Sequence, residues 1–269
     1  MWEAIVLGII QGITEFLPIS SSGHLILIPK IFHWSDPGLA FDAILHLATA
    51  AAIIIVFSKE ISLFFGGWQR GNNFFNARAS WKFLGLIVLA SVPAAVSGIL
   101  FEVEVESTLR STLVVALALI GGAIFLFWAD RYIEKAAKKT AALKEIRWQQ
   151  ALVVGLCQAV ALIPGTSRSA ATITGGMFLK MNRKTAVKFS FLVGLPAVAG
   201  AGFFELIKLA RLGTLSQDGA ILSLGFLSAF VAGILSLRLL LWLADRTNFN
   251  IFVIYRIALG IVLLLFLKS

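Results

Sequence analysis

Charge is the first thing this chain lacks. Of its 269 residues only 14% are Asp, Glu, Lys or Arg, while 59% are hydrophobic. That balance excludes an ordinary soluble domain. The chain has one cysteine, Cys157, which excludes an intramolecular disulfide and a thiolate metal cluster. A basic N-terminal region is missing and Glu3 stands in its place, so no cleavable signal peptide is expected. Short segments of alternating polarity are missing too, which argues against a membrane β-barrel. Acids are the scarcer charge, 14 against 23 Lys plus Arg, giving a formal net charge of +9. The basic excess is spread over separate short loops. It reads as loop charge that sets membrane topology, and not as a nucleic-acid face.

What the chain has instead is apolar runs approaching the roughly 20 residues that cross a bilayer. They define an all-α, polytopic membrane protein. Six full spans are predicted, over residues 39–57, 83–101, 113–128, 189–207, 220–243 and 251–267. Basic loops carry Lys59, Arg70, Arg78 and Lys82, then Arg131, Lys135, Lys138, Lys139, Lys144 and Arg147, then Lys180, Arg183, Lys184 and Lys188. The positive-inside rule puts these loops on the cytoplasmic side. The acidic turn of Glu102, Glu104 and Glu106 and the polar patch at 33–38 then lie outside. Trp2, Trp68, Trp81 and Trp128 fall near the predicted interfaces, as an aromatic belt does.

Two further apolar segments are broken. Residues 1–32 break at Pro18, and residues 151–179 break at Pro164-Gly165-Thr166-Ser167-Arg168-Ser169. Each starts and ends on one side, so both are predicted to be re-entrant helical hairpins, with both termini outside. They read as copies. Ala4, Gly8 and Gln11 match Ala151, Gly155 and Gln158 at an offset of 147, and Pro18 and Ser21 match Pro164 and Ser167 at 146. One hairpin enters from each side, which is an inverted-topology repeat. The expected organisation is a single integral membrane domain, 1–269, with halves at about 1–130 and 148–269 joined by the basic loop 130–150.

The breaks concentrate the polar chemistry. The first holds Gln11, Glu15, Ser20, Ser21, Ser22, Gly23 and His24, and the second holds Ser167, Arg168, Ser169 and Thr172. Ionisable groups at membrane depth mark functional sites by default. A helix that restarts after a break points free N–H groups and the positive end of its dipole at an anion. Arg168 adds a planar fork of donors that suits phosphate oxygens. The set therefore describes an anion site with a base beside it. His46, one turn after Asp42 in the span 39–57, reads as structural or supporting.

The stretch Gly12-Ile13-Thr14-Glu15-Phe16-Leu17-Pro18-Ile19-Ser20-Ser21-Ser22-Gly23-His24 resembles the first signature of the undecaprenyl-diphosphate phosphatase family, also called bacitracin resistance proteins. Residues Pro164-Gly165-Thr166-Ser167-Arg168-Ser169-Ala170-Ala171-Thr172 resemble its second. The resemblance implies six crossings plus two re-entrant hairpins in the bacterial inner membrane. It also implies hydrolysis of undecaprenyl diphosphate to the monophosphate at the outer face. That reaction recycles the lipid carrier for peptidoglycan synthesis and confers bacitracin resistance.

On this reading Glu15, Ser21, His24 and Arg168 are catalytic, and Ser20, Ser22, Gly23, Ser167, Ser169 and Thr172 bind phosphate. Either Ser21 or His24 is the nucleophile, and either Glu15 or His24 the base. The family motif has Glu or Gln, then three residues, then Glu; here the first is Gln11, so the motif supplies one carboxylate. The resemblance implies dependence on Mg²⁺ or Ca²⁺, with Glu15 and Gln11 as the ligands this chain offers. Expected partners are the lipid substrate and bilayer lipids, with a homodimer left open. A secondary transporter or flippase of polyprenyl phosphate, which inverted repeats also build, is the alternative function.

Overall fold

A computed structural model describes residues 1–34, 38–66, 77–101, 109, 111–136, 142–211 and 219–266. Asp36, Trp68, Arg70, Lys138, Lys139 and the acidic turn of Glu102, Glu104 and Glu106 lie outside the described residues. The first half comprises helices α1 (Trp2–Thr14), α2 (Ser21–Phe32), α3 (Leu39–Val56), α4 (Ser58–Gly66), α5 (Ala77–Leu100) and α6 (Thr112–Lys135). After a short 3₁₀ turn come α7 (Trp148–Val160), α8 (Arg168–Phe178), α9 (Arg183–Arg211), α10 (Gly219–Arg246) and α11 (Asn250–Phe266).

The described chain is all-helical. Among the described residues four helices are long and apolar enough to cross a membrane: Trp81–Leu100, Thr112–Lys135, Arg183–Lys208 and Gly219–Arg246. The predicted spans at 39–57 and 251–267 form the shorter apolar helices Ala40–Val56 and Asn250–Leu265. At 1.5 Å per residue these reach roughly 25 Å, just under a hydrocarbon core of about 30 Å. Helix α9 also begins earlier than the predicted span at 189. Its first turns hold basic side chains that are paired: Arg183 with the buried Asp130, Lys184 with Asp245 and Lys188 with Glu60. Those ion pairs let the helix start before its apolar run. Asp130 also accepts the Phe249 N–H, so one carboxylate ties together the ends of α6, α9 and α11.

Packing pairs the halves crosswise. Helix α1 lies against α10 and α7 against α5, while α3 meets α9 and α6 meets α11. The contact stripes on α1 and α7 follow the i, i+3, i+4 spacing of one helix face. Ala4, Leu7, Gly8 and Gln11 are buried on α1, and Ala151, Val154, Gly155 and Gln158 on α7. Each pair of positions differs by 147 (151−4, 154−7, 155−8 and 158−11).

Lipid offers no hydrophobic drive for helices to associate, so small residues bring backbones close enough for dispersion to hold them. Gly8 and Gly12 on α1 meet the Gly225, Ala229 and Gly233 stripe on α10, and Gly155 on α7 meets the Ala90 backbone on α5. A Cβ at Gly12 would stand 2.5 Å from the Ala229 carbonyl oxygen and 2.7 Å from the Gly233 nitrogen. Both are backbone atoms that do not yield. Gly12→Ala is therefore expected to destabilise the protein by about 1–3 kcal/mol through overpacking. Gly85→Ala, with nothing within 4 Å of the added carbon, is expected to leave stability unchanged. Thermal unfolding of the two variants in detergent checks the difference.

Candidate active site

The site starts where α1 and α7 stop. Helix α1 ends at Thr14, a tight turn carries Glu15 to Ile19, and α2 begins at Ser21. At the second break α7 ends at Val160 and α8 begins at Arg168. The residue before each restarted helix is a serine held at positive φ: Ser20 at 75° and Ser167 at 69°. His33 and Lys180, just past the ends of α2 and α8, are the remaining non-glycine residues at positive φ among those described. Both pairs are again 147 apart (167−20 and 180−33). The sequence match set Ser21 beside Ser167. The backbone sets Ser20 beside Ser167, so Arg168 takes the place of Ser21.

Gly165 has φ +92°, a conformation that an L-residue adopts only at a cost. Its Cα also lies so close to α6 that a Cβ would come within 2.4 Å of the Val115 carbonyl oxygen. This glycine seats the second break on α6. The first break is seated by Phe16, which is fully buried and packs edge-on against Phe191 of α9 at 5.4 Å between centroids.

The two breaks meet through one ion pair. An Nη2 of Arg168 donates to Oε1 of Glu15 at 2.9 Å. The other carboxylate oxygen, Oε2, accepts from the Ser21 hydroxyl at 2.7 Å and from Nε2 of Gln11 at 3.3 Å. Glu15 is 8% exposed and Gln11 fully buried. Arg168 is also anchored behind, where Nη1 donates to the Gly194 carbonyl of α9 at 2.7 Å. Gly194 leaves room for this contact, because a Cβ would stand 2.6 Å from that nitrogen.

Around this pair the hydroxyls brace the helix starts. Ser167 accepts from the Ala170 N–H and bonds the Ser169 hydroxyl, while Ser20 bonds the Ser22 hydroxyl at 3.3 Å. The Ser169 hydroxyl also donates to the Leu17 carbonyl of the other break, at 3.4 Å. Thr172 donates to the Arg168 carbonyl at 2.7 Å and bonds Ser190 of α9 at 2.5 Å. Gly23 is buried at the start of α2. Among the described residues, the N–H groups of Ser21, Ser22 and Gly23 and of Ser167, Arg168 and Ser169 donate to no protein acceptor. They are the orphan donors of a first helical turn.

His24 is buried, and its ring nitrogens bond neither Ser21 nor Glu15. Its Nδ1 donates to the Ser20 carbonyl at 2.7 Å, which in the neutral ring leaves Nε2 to accept from the Tyr255 hydroxyl at 2.6 Å. His46 bonds its own helix at the Asp42 carbonyl, 2.8 Å away, and lies within electrostatic reach of Glu15. Tyr255, Arg256, Ser190 and Gly194 were not singled out in the sequence. Of these Arg256 carried a readable signal, as a charge inside the apolar run 251–267.

A carboxylate bonded to a hydroxyl, a guanidinium and two free helix starts lie buried among the apolar helices of a multi-pass membrane protein, a set of donors whose chemistry suits an anion. The comparisons agree with that class. Residues 4–262 match the family model described as "Bacitracin resistance protein BacA". A protein of Chlorobium phaeovibrioides named undecaprenyl-diphosphatase is 43% identical over 283 residues, covering 100% of this chain and 98% of that one. One of the same name from Hahella chejuensis is 41% identical, covering 98% of this chain and 97% of that one. The chain belongs to the bacitracin resistance protein BacA family.

The Glu15–Arg168 pair has a measurable signature. Removing one partner strands the other charge away from water, so Glu15→Ala and Arg168→Ala are each expected to cost about 3–5 kcal/mol. The double variant is expected to cost less than their sum. A double-mutant cycle on detergent unfolding checks this.

Proposed function

We propose that the two breaks form the active site of an undecaprenyl-diphosphatase, which hydrolyses undecaprenyl diphosphate to undecaprenyl phosphate and inorganic phosphate. The observation that carries the reading is the Ser21 hydroxyl aimed at a Glu15 carboxylate that Arg168 holds in place. A serine, a base within 2.7 Å and a third group orienting the base are the parts of an activated nucleophile.

In this mechanism the terminal phosphate enters between the α2 and α8 starts. Its oxygens compete for the Arg168 guanidinium and the free N–H groups. Ser21 Oγ attacks the terminal phosphorus while its proton passes to Glu15 Oε2. The bond from phosphorus to the bridging oxygen breaks, and undecaprenyl phosphate leaves with that electron pair. Glu15 passes that proton to the departing undecaprenyl phosphate. Water then attacks the phosphorus of the serine phosphoester, giving its proton to Glu15. The bond to Ser21 Oγ breaks, and Oγ takes that proton back from Glu15 as phosphate leaves. Arg168 and the N–H groups of both helix starts stabilise the charge on the transferring group. Both His24 ring nitrogens are occupied, by Ser20 and Tyr255, which favours Ser21 over His24 as nucleophile and Glu15 over His24 as base.

A divalent cation fits here only as a companion of the substrate. Among the described residues no three His, Cys, Asp or Glu side chains cluster to hold one. Gln11 Oε1, however, is buried without a hydrogen-bond partner beside the Glu15 carboxylate. Those oxygens suit Mg²⁺ or Ca²⁺ carried on the diphosphate. Such an ion would supply charge neutralisation on the phosphates.

The same reading takes α1–α2 and α7–α8 as re-entrant hairpins of one inverted repeat, in a single domain of the bacterial inner membrane with both termini outside. Helices of 13, 12, 13 and 11 residues reach roughly 16–20 Å, too short to cross. The recurring offset of 147 and the crosswise packing support the repeat.

The test is phosphate release from C55 diphosphate in detergent micelles, where no vectorial transport contributes. Wild type is expected to turn over. Ser21→Ala, Glu15→Gln and Arg168→Lys are expected to lose about 10²-fold or more in kcat. EDTA is expected to abolish release, with recovery on adding Mg²⁺ or Ca²⁺. An inert wild type would instead favour a carrier of polyprenyl phosphate.

A further inference from the structure

Arg256 on α11 is fully buried, and among the described residues no carboxylate pairs with it. Its guanidinium is spent on backbone carbonyls. Nε donates to Leu119 and Nη2 to Ala118, both on α6, at 3.2 Å each. Nη1 donates to the Pro18 carbonyl of the first break at 3.2 Å. Nη2 also reaches the Gly165 and Thr166 carbonyls of the second break, at 3.3 and 2.9 Å. One side chain thus bridges both breaks and fastens them to α6. Gly122 makes the room, because a Cβ there would lie 2.2 Å from Nη2.

The peptide between Thr166 and Ser167 gives this clamp a chemical consequence. In a planar trans peptide the C=O and N–H point in opposite directions. A guanidinium holding the Thr166 oxygen therefore turns the Ser167 N–H the other way. The amide paired with the Gly165 carbonyl donates to Ile163, and the one paired with the Pro18 carbonyl donates to Leu17. The Ser167 N–H donates to no protein acceptor among the described residues. Ser167 also sits at φ 69°, a conformation that persists only where its surroundings impose it.

We propose that Arg256 is a positioning residue for phosphoryl transfer: by gripping the carbonyls of both breaks from behind, it aims the free Ser167 N–H at the transferring phosphate. It touches no reacting atom. For its kinetic readout, this inference rests on the reading of the breaks as a phosphatase site.

The experiment displaces the guanidinium without deleting it. Gly122→Ala puts a methyl group where Nη2 lies, and the atom that must yield is the end of a flexible side chain. Gly121→Ala, with nothing within 4 Å, is the control. Arg256→Lys keeps the charge and loses the planar fork. Two readouts are taken on the full-length protein: phosphate release, and backbone hydrogen exchange in the peptide spanning residues 163–169.

Gly122→Ala and Arg256→Lys are expected to stay folded, to lower kcat about 10²-fold with KM held within about threefold, and to speed exchange of that peptide about tenfold. Gly121→Ala is expected to match wild type in both. Wild-type kcat in either folded variant overturns the proposal, and so does unchanged exchange or a loss confined to KM. If wild type itself releases no phosphate, the phosphatase reading fails. Exchange then decides separately whether Arg256 holds the break.

Discussion

The Glu15–Arg168 ion pair sets the terms for the rest of this protein. A lone carboxylate or guanidinium buried among apolar helices costs several kcal/mol. Neither is tolerable unless its partner arrives from another part of the chain. Here the partners lie 153 positions apart, so the pair forms only when the two breaks come together. Its geometry also leaves capacity unused. Arg168 has one amino group on Glu15 and another on the Gly194 carbonyl, while the Ser21 hydroxyl rests on the opposite carboxylate oxygen. In the proposed reaction the transferring phosphate takes up that capacity by exchange of hydrogen bonds.

Two arginines do related work by different means. Arg168 faces the site and pairs with a carboxylate; Arg256 stands behind it and pairs with carbonyls. Each is seated against a helix at a glycine, Gly194 on α9 and Gly122 on α6. Small residues serve packing as well, where Gly8 and Gly12 let α1 approach α10. In a bilayer the gain from such contacts is dispersion and satisfied polar groups rather than exclusion of water. Among the described residues a glycine is therefore more often a seat for a neighbour than a loosening of the backbone.

Much of this was legible in the sequence. The all-helical fold followed from apolar runs, and Glu15, Ser21 and Arg168 announced themselves as polar residues at breaks in those runs. The structure brings these three together. Three things were less legible. In their described residues helices α3 and α11 sit at the short end of the range that crosses a bilayer, and hydropathy alone does not place their ends. The orientation of His24 depends on Tyr255, 231 positions away, and nothing local points to that contact. The pairing of Ser20 with Ser167 is a matter of φ, and three consecutive serines hide which of them takes the positive value.

The central claim is that both breaks act on one phosphate. A crystal or cryo-EM structure with vanadate bound in place of the transferring phosphate would test it most directly. The account predicts vanadium in line with Ser21 Oγ and an equatorial oxygen within hydrogen-bond distance of Arg168. Vanadate held by one break alone, with the Arg168 guanidinium still committed to Glu15 and away from the ion, would contradict it.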